Sequence, residues 1–219
     1  MSYSALTILT GLLICIASPA WTQPLLAASQ THAEAAPTAH PPPPPALEDI
    51  DQWAFRLTQE DTYDQLILHA AIQWQIDPFL FKGLLYTESR LDPTIINKTS
   101  QAAGIAQFTA GGRRGVTNLR RMRGIPPSRA TFTRAQTLDP KEAIPAAAEL
   151  LAYLFTTCKH TPGALMGYNS GGCRGSRSFV LAVIKHTNRF RTAAGMPPMP
   201  APSFPARRSR TLMARIPTS

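Results

Sequence analysis

Proline placement constrains this chain more than any other feature. Of its 21 prolines, eight lie before Ala46 and six after Met196, leaving seven for everything between. Proline fixes φ and lacks an N–H, so a run such as Pro41 to Pro45 joins neither a helix interior nor a sheet ladder. It favours polyproline II, a semi-rigid spacer, and a linker is a better reading than an SH3-type ligand. A packed domain is therefore expected over residues 48–196, with a linker over 21–47 and a Pro/Arg-rich tail without a fixed fold over 197–219. A chain of 219 residues that is 44% hydrophobic can fill one core of that size. No helix-length apolar run follows residue 30, which excludes a polytopic membrane protein.

The start of the chain has its own pattern. Ala5 to Ala17 is apolar except for Thr7, Thr10 and Gly11, and Ser18-Pro19-Ala20 supplies small residues for a cleavage site. This looks like a secretory signal peptide over residues 1–20, although no Lys or Arg precedes the apolar run; a retained anchor is the alternative. Lipidation at Cys15 is disfavoured because Ile14 stands where a small residue is wanted. The expected location is the periplasm or cell envelope, or outside the cell. Removing the signal removes Cys15, and of the three cysteines Cys158 and Cys173 then form an even pair, expected as a disulfide. His160 lies near Cys158, but no three or four ligands share a metal-binding spacing, so no metal is expected.

Charge is divided unevenly within a net +9: residues 1–100 carry −6 and residues 101–219 carry +15. Seven arginines lie from Arg113 to Arg134 with no acid among them. Nucleic acid is the first partner such a cluster suggests, but export argues against it. An anionic polymer outside the cytoplasm, such as cell-wall glycan, satisfies both facts, and a merely solvated basic surface is the bland alternative.

The middle segment reads as mainly α. Tyr63, Leu66, Ile67, Ala70, Ala71 and Trp74 recur at helical spacing after Asp61. Asp77-Pro78 and Asp139-Pro140 each pair a capping side chain with proline at the first helical position. They open helices from Phe79 to about Arg90 and from Pro140 to about Thr157. Shorter helices are expected from Pro162 through Tyr168 and from Phe179 to about Phe190. Alternating apolar runs joined by tight turns are missing, as are phosphate loops, dinucleotide fingerprints and nucleophile elbows.

Glu88 ends an otherwise apolar helix containing Phe79, Leu80, Phe81, Leu84, Leu85 and Tyr86. A carboxyl so placed is partly desolvated, which raises its pKa and suits a general acid. Three short motifs surround it in order: Glu88-Ser89, then Gly104-Ile105-Ala106-Gln107, then Gly167-Tyr168-Asn169. This set resembles the soluble lytic transglycosylase family, relatives of goose-type lysozyme, over about residues 60–190. The resemblance implies a lysozyme-like helical domain with an active-site cleft. It implies that Glu88 is the catalytic acid and that Ser89 lines the glycan groove. Gly104 would let glycan approach the turn, and Gln107 would bind substrate through its amide. Tyr168 would point its hydroxyl at the catalytic carboxyl, with Asn169 as companion.

Asp92 is a second carboxyl four residues from Glu88, but Pro93 turns the chain away, and no acid follows until Asp139. That scarcity favours one-carboxylate chemistry over a two-carboxylate glycosidase. In the resembling family a single Glu protonates the glycosidic oxygen after N-acetylmuramic acid and then deprotonates its C6 hydroxyl. A 1,6-anhydro ring closes without water, metal or organic cofactor. A water-using muramidase and a non-catalytic wall-binding component are the alternatives. Peptidoglycan strands are the implied partner, with a secretion or conjugation apparatus as a candidate and a monomer as the expected state. The arginine segment, directly after Gln107, is expected beside the glycan groove.

Overall fold

The computed structural model describes residues 62–204. The expected signal, the linker and the tail from residue 205 onward lie outside the described residues, as does Asp61. Among the described residues eight helices follow one another: α1 (Asp64–Gln73), α2 (Pro78–Ser89), α3 (Ala110–Met122), α4 (Pro127–Ala130), α5 (Arg134–Leu138), α6 (Pro140–Cys158), α7 (Thr161–Ser170) and α8 (Arg177–Ala193). Among the described residues no extended strand forms; Ala103 makes isolated bridges to Ile96 and Phe108.

The capping expectations hold at atomic detail. Asp77 accepts from the backbone N–H groups of Phe79 at 2.8 Å and Leu80 at 3.1 Å, with Pro78 as the first helical residue. Asp139 accepts from Lys141 N–H at 2.9 Å ahead of α6. Capping side chains satisfy donors that a helix start leaves without partners. At the far end of α2, Arg90 adopts a left-handed conformation at φ 58° and Leu91 follows at 64°, which stops the helix immediately after Glu88-Ser89.

α2 is the central element, buried from Pro78 through Leu85. Gly83 lets it meet α8 backbone to backbone, since a Cβ there would stand 2.8 Å from Thr187 N. α7 is seated on side chains of α6: a Cβ at Gly167 would stand 2.7 Å from Leu154 Cδ2 and 3.5 Å from Cys158 Sγ. Phe81, Leu84, Leu85, Ile105, Ile144 and Leu165 are fully enclosed in the core these helices share. One charge lies inside as well: Lys82 is 2% exposed and pairs with Asp64 of α1 at 2.8 Å. Such a pair is far costlier to break than to leave intact, so it fixes how α1 seats on α2.

Cys158 and Cys173 form a disulfide, with Sγ atoms 2.02 Å apart, joining the end of α6 to the loop after α7. The expectation of a tail without fixed fold from residue 197 is corrected for residues 197–204. Met199 exchanges hydrogen bonds with the Asn188 side chain, its N–H donating at 2.7 Å, and Arg191 Nε donates to Pro197 O at 2.7 Å. Phe204 lies under the Arg177 guanidinium at 5.0 Å, so this extended segment runs back along α8. Asn188 supplies the donor and acceptor that a proline-rich backbone cannot find in a ladder.

Candidate active site

The three motif segments, far apart in sequence, converge on the turn at residues 104–107. Ser89 Oγ donates to Ile105 O at 2.7 Å, and Tyr168 Oη donates to Ala106 O at 3.1 Å. Gln107 Nε2 donates to Gly104 O at 2.9 Å and to Ile95 O at 3.1 Å. The turn thus hangs from the end of α2 on one side and from α7 on the other.

Glu88 stands at the α2 end of this arrangement, half-buried, with an accessible edge and otherwise surrounded by protein. No hydrogen bond or ion pair reaches its carboxyl from the described residues. Burial alone pushes its pKa up to about 8. Desolvation disfavours the charged form, and nothing here offsets it. Tyr168 lies close enough for a Glu88 carboxylate to oppose its ionisation; burial, and then that charge, raise the phenol well above its usual range. Glu88 is therefore protonated at neutral pH and Tyr168 stays a neutral donor.

Two expected groove residues have a different place. Ser89 is 3% exposed, and its hydroxyl also reaches Leu85 O at 3.3 Å. It does not line a groove; it fastens the helix end to the turn. Gly104 is buried at φ 77°, and a Cβ there would overlap the carbonyl oxygen of Thr137. The close approach that demands glycine is made by the chain's own backbone at the end of α5, not by a ligand. Gln107 is half-buried at φ 47° with both amide hydrogens engaged, which leaves its side-chain oxygen to meet a donor. Asn169 is exposed on the last turn of α7. Asp92 is half-buried and accepts from Thr94 N–H and Oγ1, which hold its carboxyl below the usual range. It is tied to its own turn, as the following proline suggested.

The first four of these arginines, Arg113, Arg114, Arg120 and Arg121, lie on α3, a helix the sequence pattern does not predict; Arg123 follows its end, and Arg129 and Arg134 lie on α4 and α5. Arg120 Nε donates to Glu149 Oε2 at 3.0 Å, and Arg123 pairs with the other oxygen. Glu149 is buried on α6. No acid lies among these arginines in the sequence, yet two of them meet one in space, supplied by a helix later in the chain. Arg123 also lies 4.6 Å from the Trp74 ring and Arg120 5.4 Å from that of Phe132. Their role is to pin α3 against α6. A lone Glu within Ala146-Ala147-Ala148-Glu149-Leu150-Leu151 was the signal that could have revealed this anchor.

Among the described residues no group of three His, Cys, Asp or Glu side chains is arranged to hold a metal ion. The family model for the transglycosylase SLT domain matches residues 65–188, which spans α1 through most of α8. No curated protein matches the chain.

Proposed function

The chain belongs to the transglycosylase SLT family, and from that premise we propose that it is a peptidoglycan lytic transglycosylase with Glu88 as acid and then base. The observation that carries this reading is the Glu88 carboxyl: accessible, without a partner among the described residues, and raised to about 8 by burial. At neutral pH it holds the proton a glycosidic oxygen needs. Once that proton has gone, the carboxylate is a stronger base than an ordinary one and can take the proton of the C6 hydroxyl. The hydroxyl oxygen then bonds to C1 while the C1–O bond to the leaving sugar breaks, closing the anhydro ring. The muramyl N-acetyl group stabilises the oxocarbenium-like centre in place of a protein nucleophile, consistent with the engagement of Asp92 elsewhere.

Tyr168 and Gln107 support the reading as polar groups held at the same turn, one a neutral phenol and the other an amide with its oxygen available. On the same reading the protein works outside the cytoplasm, where the apolar run from Ala5 to Ala17 would deliver it.

Mass spectrometry of purified peptidoglycan after digestion tests the proposal. Products ending in 1,6-anhydro-N-acetylmuramic acid are expected, each lighter by one water than the hydrolytic equivalent, and Glu88→Gln should yield none. Reducing ends carrying the full mass would instead identify a muramidase. No cleavage by the parent protein would leave a wall-binding role.

A further inference from the structure

Tyr86 lies on α2 and Arg90 just past its end, with the Arg90 guanidinium over the Tyr86 ring, whereas Glu88 projects roughly 200° round the helix from Tyr86. That side carries a cluster unconnected with the turn at 104–107. The half-buried Tyr86 ring has the Arg90 guanidinium at 4.9 Å and the Arg189 guanidinium at 5.3 Å, while the His186 ring tilts against it at 4.8 Å. Arg189 Nη1 also donates to Tyr86 Oη at 3.4 Å. Lys185 adds a further cation to the same helix surface, four residues before Arg189, and Lys185, Arg90 and Arg189 are all exposed.

What sets this cluster apart is its grouping around one aromatic ring with no acid beside it. Elsewhere four cations meet acids: Lys82 with Asp64, Arg120 and Arg123 with Glu149, and Arg191 with Asp77 at 2.8 Å. Neither Arg90, Lys185 nor Arg189 has a carboxylate within ion-pair distance among the described residues. The three cations act together on their neighbours: after burial, each of them contributes to lowering the His186 pKa. The two guanidinium groups are held against one ring, which reduces the side-chain freedom lost when a planar anion docks on them.

We propose that Tyr86, Arg90, Lys185 and Arg189 form an accessory site for carboxylates, occupied by the stem peptides of wall strands. This rests on the peptidoglycan reading, since those peptides supply many carboxylates along one polymer, and Arg can hold each in a paired, charge-assisted geometry. The site lies on the far side of α2 from Glu88, so it grips the wall without touching the reacting sugar.

The test uses the full chain carrying Glu88→Gln, so that binding is read without cleavage, with and without Lys185→Gln/Arg189→Gln. Sedimentation gives Kd for native sacculi, sacculi whose carboxylates have been amidated, peptide-free glycan strands, and phosphatidylglycerol/phosphatidylcholine vesicles. The double variant should weaken binding to native sacculi about three- to tenfold, the size two exposed ion pairs carry, and leave amidated sacculi and bare glycan unaffected. Lys185→Arg/Arg189→Lys should restore it. An unchanged Kd on native sacculi, an equal loss on amidated sacculi, or a loss confined to vesicles would each overturn the proposal. Whether the parent chain cleaves glycan is read separately, so a protein that binds through this site but cuts nothing defeats the enzymatic reading alone.

Discussion

Glu88 and Glu149 are both glutamates that helices turn toward the interior, yet the chain treats them in opposite ways. Glu149 is the more deeply enclosed, and two guanidinium groups reach it, one from either side of the α3 end. Glu88 keeps an accessible edge and receives no partner from the described residues; the polar groups around it are spent on the turn instead, Ser89 on Ile105 and Tyr168 on Ala106. A carboxyl supplied with cations serves packing. A carboxyl supplied only with low-dielectric walls keeps its proton and can exchange it. The difference separates an anchor from a reagent, even though both are acidic side chains in apolar helices.

Exchanging the two acids for their amides tests this most directly. Glu88→Gln should lower glycan cleavage by at least about 10²–10⁴-fold, because one group would serve both proton transfers, with circular dichroism unchanged. Glu149→Gln should keep cleavage per folded molecule within a few-fold. Comparable losses of kcat in the two variants, measured where both are folded, would erase the distinction.

The second effect is in stability and has a defined sign. Glu88 has its pKa raised from 4.5 to about 8 by folding. Between these values the folded state binds more protons than the unfolded one, so stability falls as pH rises through that window. Below pH of about 4 both states are protonated and nothing is lost. Glu88→Gln removes the term. Thermal melts should show the variant more stable than the parent at pH 8–9, by roughly a few kcal/mol, and nearly equal to it at pH 4. A constant difference across pH would mean that the Glu88 carboxyl is better solvated than its surroundings imply.

Glu149 predicts the next largest change. Glu149→Leu keeps volume but strands Arg120 and Arg123. Breaking a buried pair costs about 3–5 kcal/mol. The lower end, about 3 kcal/mol, applies here because Arg123 is 42% exposed and recovers hydration. Urea unfolding should show the loss, and adding Arg120→Met to Glu149→Leu should return part of it. A Glu149→Leu protein as stable as the parent would reduce the pair to surface decoration.

What the sequence revealed follows range of interaction. Asp77-Pro78 and Asp139-Pro140 declare helix starts because cap and proline act within three residues. Glu88 stood out because its helix is apolar around it. α3 was not visible: it contains Gly111, Gly112 and Gly115 among its arginines, and only Val116 and Leu119 are buried, so no apolar stripe announces it. Gly104 was singled out, but its reason lies at Thr137, over thirty residues away, on a helix too short to forecast. The docking of residues 197–204 depends on Asn188, whose partner no local pattern identifies.

Ser89 gives the smallest expected effect and the sharpest separation between lining a site and supporting one. Its hydroxyl is enclosed and bonds Ile105 O at 2.7 Å, and Ile105 is itself fully buried. Ser89→Ala leaves that carbonyl short of a donor, costing about 1–2 kcal/mol of stability. The turn that carries Gln107 and receives Tyr168 then loses its tie to the helix bearing Glu88. Misplacement of this kind affects the reacting geometry more than ground-state binding, so kcat should fall a few-fold while KM for glycan strands stays near the parent value. A groove-lining serine would do the reverse, raising KM with kcat preserved. Steady-state kinetics on strands of defined length distinguishes the two, and a KM-only effect would return Ser89 to the substrate surface.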